Sequence, residues 1–286
     1  MKILPIAISS PFKQNEYEAG KKILEARGHE FLSDAVIRKA PQTYLNGSDA
    51  ERLSELELAL NHQEADLIWA VRGGYGITRL LPDLSERQTG NGVIIGFSDV
   101  TSLTSHLWAL NKQKSLHGPV LMKLPQEPPE VLDALDLIFK GQARQVKYPE
   151  FNAPLQAQPV SGIIIPANLS MFAELIGTPS MPNLRDNILI LEDIHEEPYQ
   201  LDRMLTHLWV AGILTGVKAI IVGHLTQCGD QALNVFLERC GEFKIPCFTG
   251  FQMGHESPNW PLPIGVQAEI ESKGGKACLN ILEELF

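Results

Sequence analysis

The stretch Val93-Ile94-Ile95-Gly96-Phe97-Ser98-Asp99-Val100-Thr101 has the pattern of a strand, a sharp turn and a helix. It begins with three apolar β-branched residues, which are typical of a short buried strand. Gly96 then relaxes the backbone, and Ser98 opens a run with apolar residues at helical spacing, namely Val100, Leu103 and Leu107. A serine on such a turn exposes its Oγ beside the free N–H groups of the new helix. The stretch therefore predicts either a nucleophilic Ser98 or a helix capped by Ser98 or Asp99.

Strands and helices alternate through the first half of the chain. Helix patterns cover residues 14–27, ended by Gly28, and the segment opened by the capping box Ser48-Asp49-Ala50-Glu51. Strand patterns cover residues 3–8, 66–71 and 93–95. This alternation predicts a parallel, doubly wound sheet, because parallel strands need a crossover helix between them.

The second half is again mixed, and it ends in a hairpin. Strand patterns cover residues 187–191, 217–222 and 245–248, a helix pattern covers 231–239, and Lys273-Gly274-Gly275-Lys276 is a tight-turn signal. Periodicity fails between residues 141 and 160, where prolines recur among polar residues. We therefore predict an N-terminal domain over residues 1–145, a linker over 146–165 and a C-terminal domain over 166–286.

Composition excludes several classes of protein. The 286 residues are 44% hydrophobic and 20% charged, as in ordinary globular chains. A net charge of −10 argues against a nucleic-acid partner, because phosphates would be repelled. No apolar segment approaches the roughly 20 residues of a membrane span, and the N-terminus has no signal-peptide pattern. We expect a cytoplasmic protein whose four cysteines are reduced, structural thiols, Cys228, Cys240, Cys247 and Cys278.

Two further residues share the placement of Ser98 at the end of a predicted strand. Glu192 ends the strand pattern of residues 187–191, and His255 follows the pattern around Phe248. Ligands bind beyond the carboxyl ends of strands in open α/β sheets. The chain order Ser, Glu, His is one that a hydrolase triad takes, with His255 as base and Glu192 orienting it. Taken singly, Glu192 is also consistent with a surface carboxylate, and His255 with a loop histidine bonded to the backbone.

The glycine loop Arg72-Gly73-Gly74-Tyr75-Gly76 follows a predicted strand. Such a loop brings backbone N–H groups close to a ligand and forms a nest for an anion. It fits half of an oxyanion hole, with the Asp99 N–H as the other half, or a tight turn whose glycines only avoid steric strain. A metal site is disfavoured, because the eight histidines are scattered and form no HExxH motif. His117 is predicted to be buried and hydrogen-bonded near the site.

Together these motifs resemble those of the LD-carboxypeptidases, serine peptidases that include the microcin immunity carboxypeptidases. The motifs occur in the family's order along nearly the whole chain, as Arg72-Gly73-Gly74-Tyr75-Gly76, Gly96-Phe97-Ser98-Asp99-Val100-Thr101, Leu116-His117-Gly118-Pro119, Leu191-Glu192-Asp193 and Gly254-His255. Two stretches depart from the family pattern, namely Pro166-Ala167-Asn168-Leu169, where the family usually has Gly-Gly-Asn-Leu, and the polar His195-Glu196-Glu197.

The resemblance implies an α/β fold with a flavodoxin-like parallel-sheet N-terminal domain and a smaller β-rich α/β C-terminal domain. It implies a catalytic triad of Ser98, Glu192 and His255. It also implies oxyanion donors at the Gly74 and Asp99 amides, with Gly73 and Tyr75 beside them as substrate-binding candidates. By the same resemblance we expect a homodimer that uses no cofactor or metal.

The implied reaction is release of C-terminal D-alanine from murein tetrapeptide during cell-wall recycling. Two alternatives stay open. One is an immunity-type peptidase that cleaves peptidyl- or aminoacyl-nucleotides. The other belongs to a different class, a non-catalytic protein that binds an anion in the Gly73-Gly74 loop. A serine, a carboxylate and a histidine at three strand ends favour an enzyme, because a binding protein needs no such set.

Overall fold

The computed structural model describes residues 1–33, 37, 39–85, 89–155 and 157–286. The first part of the chain forms a sheet with flanking helices. Its strands are β1 (Lys2–Ile6), β2 (Glu30–Phe31), β3 (Leu67–Ala70), β4 (Val93–Gly96) and β5 (Ser115–His117). Its helices are α1 (Gln14–Ala26), α2 (Asp49–Leu60), α3 (Val100–Asn111) and α4 (Pro129–Phe139), with 3₁₀ turns at Leu81–Asp83, Leu121–Gln126 and Ala143–Gln145.

The second part forms a closed barrel with helices around it. Its strands are β6 (Phe151–Asn152), β7 (Val160–Asn168), β8 (Asn187–Ile194), β9 (Ala219–Thr226), β10 (Cys247–Thr249), β12 (Gln267–Lys273) and β13 (Lys276–Ile281), in the order β10-β6-β13-β12-β7-β8-β9. The helices are α5 (Leu169–Ala173), α6 (Pro198–Val210) and α7 (Ala232–Phe243). The remaining strand, β11 (Leu262–Ile264), leaves the barrel and pairs with β5 of the first sheet.

The first sheet has the order β11-β5-β4-β3-β1-β2, and all of its pairs are parallel except β11 with β5. Strands β1 to β5 follow the flavodoxin order, so the predicted fold class is confirmed. The chain reverses direction across this sheet between β1 and β3. Ligands bind at such a reversal, beyond the carboxyl ends of the strands. The segments that follow β1, β3 and β4 meet there.

The central strands form because they are buried on both faces. Leu67, Ile68 and Trp69 of β3 are at most 1% exposed, as are Ile94 and Ile95 of β4. Burial of this kind contributes roughly 1.5–3 kcal/mol for each large apolar side chain. It explains why these strands are continuous apolar runs instead of alternating ones.

The predicted helix cap, helix end and hairpin turn are confirmed. Ser48 and Glu51 form a reciprocal capping box at the start of α2. Gly28, which ends α1, has φ +85°, and Gly274 and Gly275 turn the β12–β13 hairpin with φ of +60° and +81°. All four cysteines are free thiols. No helix among the described residues is long and apolar enough to cross a membrane.

Other boundaries differ from the predicted ones. Residues 146–165, predicted as a linker, contain β6 and most of β7, and both strands pair within the barrel. Pro149 precedes β6, and Pro154 and Pro159 lie between β6 and β7, so prolines mask the strand pattern. Strand β11, inside the segment predicted as the C-terminal domain, belongs to the first sheet. Strand β8 continues through Glu192 to Ile194 instead of ending at Leu191.

Candidate active site

Ser98 lies on a strained turn between β4 and α3. Its φ is +63°, in the left-handed region that costs a side-chain-bearing residue energy. The N-cap of α3 is Asp99, which has helical backbone angles and makes no side-chain capping bond. Asp99 therefore occupies the predicted cap position, but its side chain does not cap the helix. The half-buried Ser98 side chain instead projects from the turn at the carboxyl edge of the sheet.

The glycine loop lies directly against this serine. A methyl group added at Gly73 would stand 3.2 Å from Ser98 Oγ and 3.0 Å from Ser98 Cβ. Gly74 has φ +122°, a conformation that only glycine adopts easily. Among the residues that the structure describes, the N–H groups of Gly74 and Asp99 make no hydrogen bond. Both remain available to an incoming oxygen.

The Asp99 carboxylate connects the glycine loop to the turn that carries Ser98. Its Oδ2 accepts a hydrogen bond from Ser9 Oγ at 2.6 Å and another from the Ile77 N–H at 3.2 Å. The side chain is fully buried, and burial raises the pKa of Asp99 above its usual range. The sequence predicted for Asp99 either a helix-capping side chain or a backbone N–H in the oxyanion hole. Its side chain adds a second role, because it connects the loops that follow β1 and β3.

Arg52 fixes the far end of the same loop. Its buried guanidinium donates to the Gly76 carbonyl at 2.9 Å and to the carbonyl of Ile8. Ser10 Oγ accepts a 3.3 Å hydrogen bond from the N–H of Tyr75, whose side chain is 37% exposed at the rim. The glycine loop is thus held from both sides, as a preorganised anion nest requires.

A carboxylate and an imidazole meet beside the serine turn. His255 Nδ1 lies 2.7 Å from Glu192 Oε2, and the Glu192 side chain is fully buried. The pairing of β8 with β9 shifts register between Leu191 and Asp193, and such irregularities re-aim a side chain near active sites. The ring of His255 packs on Phe97 with centroids 4.8 Å apart, next to Ser98 in the chain.

Gly254 makes the close approach of His255 to Glu192 possible. Its φ is +131°, and a methyl group there would stand 2.7 Å from Glu192 Oε2. The Gly254 N–H donates to Asn259 Oδ1 at 2.9 Å, which anchors the loop. The carboxylate is therefore covered by backbone on one side and meets the imidazole on the other.

Asn168 is a site residue that sequence analysis did not assign. Its side-chain amide donates to Glu192 Oε1 and to Asp193 Oδ1, each at 3.1 Å. Its backbone N–H donates to Thr101 Oγ1 on α3, also at 3.1 Å. The signal was present in Pro166-Ala167-Asn168-Leu169, where the asparagine is common to this chain and the family pattern. Asp193 adjoins it, and burial, then the Glu192 charge, raise the pKa of Asp193 to about 7.

The other histidines near the site have different surroundings. His117 is buried with its ring 5.9 Å from that of Phe97, and its Nε2 has no hydrogen-bond partner among the described residues. Burial lowers the pKa of His117 to about 3, so the imidazole is neutral. The predicted hydrogen bond is thus missing at Nε2. Burial also lowers the pKa of His224, which lies near Glu192. In the described part of the chain, no group of three or more His, Cys, Asp or Glu residues could hold a metal ion.

A parallel α/β sheet that presents a strained serine beside an anion nest and a histidine–carboxylate pair defines a serine-type hydrolase. The chain belongs to the LD-carboxypeptidase family. The family's N-terminal domain matches residues 3–118, and its C-terminal domain matches residues 161–270. These two matches contain every residue of the site described above.

Named relatives and solved structures agree with this family. The chain is 32% identical to a putative carboxypeptidase of Rickettsia conorii, over 87% of this chain and 82% of the relative. It is 30% identical to murein tetrapeptide carboxypeptidase of Pseudomonas aeruginosa, over 93% and 92% of the two chains. The crystal structure of muramoyltetrapeptide carboxypeptidase from Oxalobacter formigenes has a TM-score of 0.85 at 27% identity and covers 98% of both chains.

The fold is also that of an immunity protein. The structure of MccF in complex with glutamyl sulfamoyl guanosine has a TM-score of 0.85 at 22% identity, over 98% of this chain and 95% of MccF. At that identity the similarity establishes the fold alone.

Proposed function

We propose that the chain is a serine carboxypeptidase in which Ser98 is the nucleophile, His255 the general base and Glu192 the residue that orients it. The observation that carries this proposal is the 2.7 Å contact between His255 Nδ1 and Glu192 Oε2. With Nδ1 held by the carboxylate, Nε2 is the nitrogen available to a proton from serine. The packing of His255 on Phe97 keeps the imidazole beside the serine turn.

In the proposed acylation step, Ser98 Oγ attacks the scissile carbonyl carbon while its proton passes to His255 Nε2. The carbonyl oxygen becomes an oxyanion that accepts hydrogen bonds from the Gly74 and Asp99 N–H groups. Collapse of this intermediate breaks the C–N bond. His255 returns the proton to the departing amine, which leaves as the free C-terminal amino acid, and the remaining peptide is an ester of Ser98.

Deacylation reverses these roles with water. His255 takes a proton from a water molecule, the hydroxide adds to the ester carbonyl, and the proton then returns to Ser98 Oγ as the ester bond breaks. Glu192 stabilises the positively charged imidazolium in both halves. Its burial strengthens that effect, because fewer water molecules screen the charge pair.

We propose murein tetrapeptide as the substrate, with release of its C-terminal D-alanine. Support comes from the names of relatives that match over most of both chains, including murein tetrapeptide carboxypeptidase of Pseudomonas aeruginosa. The second candidate is cleavage of an aminoacyl- or peptidyl-nucleotide. It is favoured by the microcin C7 self-immunity protein MccF, to which the chain is 25% identical over 90% of its length.

The deciding experiment offers both substrates to one protein preparation. The purified chain is incubated with murein tetrapeptide and, separately, with a peptidyl-nucleotide, and the products are identified by mass spectrometry. Excess chelator is present in a parallel set, because the proposed steps use no metal ion. Release of D-alanine, unaffected by chelator, supports the proposal. Cleavage of the nucleotide conjugate alone would contradict the proposed substrate. Activity that is lost on chelation and restored only by a metal ion would contradict the proposed mechanism.

The family resemblance further supports a homodimer that works in the cytoplasm, where peptides from cell-wall turnover are recycled. Light scattering coupled to size-exclusion chromatography tests the first part. A monomeric mass at micromolar concentration would contradict it. Fractionation of cells that express the chain tests the second.

A further inference from the structure

A carboxypeptidase has to bind the negative charge at the end of its substrate. The proposed site is poor in positive charge, because the chain carries a net charge of −10 and the site itself contains three buried acidic side chains, Asp99, Glu192 and Asp193. A terminal carboxylate next to the scissile bond therefore needs a cation to offset repulsion and the loss of hydration. None of the proposed triad or oxyanion groups supplies a permanent positive charge.

Arg72 is placed to supply this charge. It immediately precedes Gly73, the residue that packs on Ser98, and follows β3 at the carboxyl edge of the sheet. Its side chain is exposed, and its guanidinium Nη1 donates to the carbonyl of Pro11. Pro11 follows Ser10, whose side chain meets the glycine loop at Tyr75. The guanidinium is thus anchored on the loop after β1, at the rim of the anion nest.

Arg72 is also uncommitted, in contrast to the other cations near these loops. Within the described ranges it forms no ion pair with a carboxylate. Arg79, further along the same segment, donates to both oxygens of Asp49, and the buried Arg52 also pairs with Asp49. One bond to a carbonyl leaves most of the five guanidinium N–H groups of Arg72 free for a ligand.

We infer that Arg72 binds the terminal carboxylate of the substrate and thereby makes the enzyme selective for a free C-terminus. This inference rests on the proposed function and adds the substrate-recognition residue to it. A guanidinium matches a carboxylate with two parallel N–H···O bonds, so it fixes the direction of the chain end as well as its charge. The Pro11 carbonyl keeps the side chain in place before substrate arrives, which reduces the ordering cost of binding.

The test compares murein tetrapeptide as the free acid with the same peptide as its C-terminal amide. The variants are Arg72→Gln and Arg72→Lys, with Arg79→Gln as a matched control that removes a neighbouring exposed arginine. For the parent we expect kcat/KM to favour the acid by about 10²-fold, typical of one charged hydrogen-bond pair. Arg72→Gln is expected to lower kcat/KM for the acid by about that factor and leave the amide unchanged. Arg72→Lys should keep part of the preference, and Arg79→Gln all of it.

A structural role for Arg72 predicts a different result. Equal losses on acid and amide, or an undiminished acid preference in Arg72→Gln, would overturn the inference. Binding of the two peptides is also measured by calorimetry in a Ser98→Ala background, where no turnover is needed. Loss of acid-selective binding on adding Arg72→Gln supports the inference, and absence of acid preference in the background itself overturns it. Failure of the proposed reaction is recognised separately, as wild-type protein that releases no D-alanine from the tetrapeptide.

Discussion

The N–H of Asn168 donates a 3.1 Å hydrogen bond to Thr101 Oγ1 and so connects the barrel strand β7 to helix α3 of the parallel sheet. Thr101 lies one helical turn after Ser98, and the Asn168 side chain holds Glu192. The two halves of the proposed triad come from different parts of the fold. This buried bond sets the position of one half relative to the other.

Replacement of Thr101 by valine keeps the shape of the side chain but removes the acceptor of the Asn168 N–H. Both residues are at most 3% exposed, so the orphaned N–H costs about 1–3 kcal/mol of stability. We expect kcat to fall by on the order of tenfold, because small displacements of reacting groups are costly. Thr101→Ser restores the hydroxyl and is the control. A Thr101→Val protein as stable and as active as Thr101→Ser would contradict the connection.

Two substitutions of Ser98 are expected to abolish turnover and to differ in stability. Neither Ser98→Ala nor Ser98→Gly can form the acyl-enzyme, so turnover should fall by roughly 10³-fold or more in both. The alanine keeps a side chain at φ +63°, whereas glycine adopts that conformation freely. Ser98→Gly should therefore be more stable than Ser98→Ala by about 1 kcal/mol in urea unfolding. Near-normal turnover in either folded variant would eliminate the serine mechanism.

Glu192 and Asp193 are adjacent acids for which we expect opposite results. Glu192→Gln presents an amide to His255 Nδ1 and removes the charge that stabilises imidazolium, so kcat should fall by about 10²-fold or more. Asp193 bonds Asn168 and the Ser170 N–H instead of the imidazole, and Asp193→Asn should retain most turnover. If Glu192→Gln works like the parent while Asp193→Asn or Glu196→Gln is inactive, the orienting acid has to be reassigned.

The raised pKa of Asp193 also leads to a prediction of how the stability of the protein depends on pH. Its pKa rises from 3.8 to about 7 on folding, because burial and then the Glu192 charge disfavour the ionised form. Between these values the folded protein keeps a proton that the unfolded chain has lost. This group therefore makes stability fall as pH rises from about 4 to about 7, by at most about 4 kcal/mol. Denaturant unfolding of parent and Asp193→Asn across this range measures the difference, and identical slopes would contradict the assignment.

Sequence was sufficient for the features that depend on neighbours in the chain. The Ser48 capping box, the Gly274-Gly275 hairpin and the turn at Ser98 follow from side chains within a few residues. The parallel direction of the strands followed from their alternation with helices, and the flavodoxin-like fold followed from the family resemblance. Glu192 and His255 were selected because each follows a strand pattern in the sequence, and the hydrogen bond between them is consistent with that selection.

The remaining features depend on contacts between distant parts of the chain. The bond from Asn168 to Thr101 spans 67 residues, and that from Ser9 to Asp99 spans 90. No periodicity in either segment indicates the partner. Asp99 illustrates the difficulty, since a buried carboxylate after a serine has the same local sequence as a helix cap. The pairing of β11 with β5 is likewise invisible locally, because a three-residue strand containing Pro263 does not differ from a loop.

The pairing of β11 with β5 limits how the protein can be divided into fragments. Strand β11 covers the free edge of β5, with Leu262 opposite His117 and Ile264 opposite Ser115. A fragment that stops before the barrel would leave β5 with unpaired N–H and C=O groups beside an apolar core, and exposed edges of this kind recruit other chains into aggregates. Strand β11, from the last quarter of the chain, thus protects the parallel sheet of the N-terminal part against aggregation. The two matched domains are separable in sequence comparison but have to be made as one molecule.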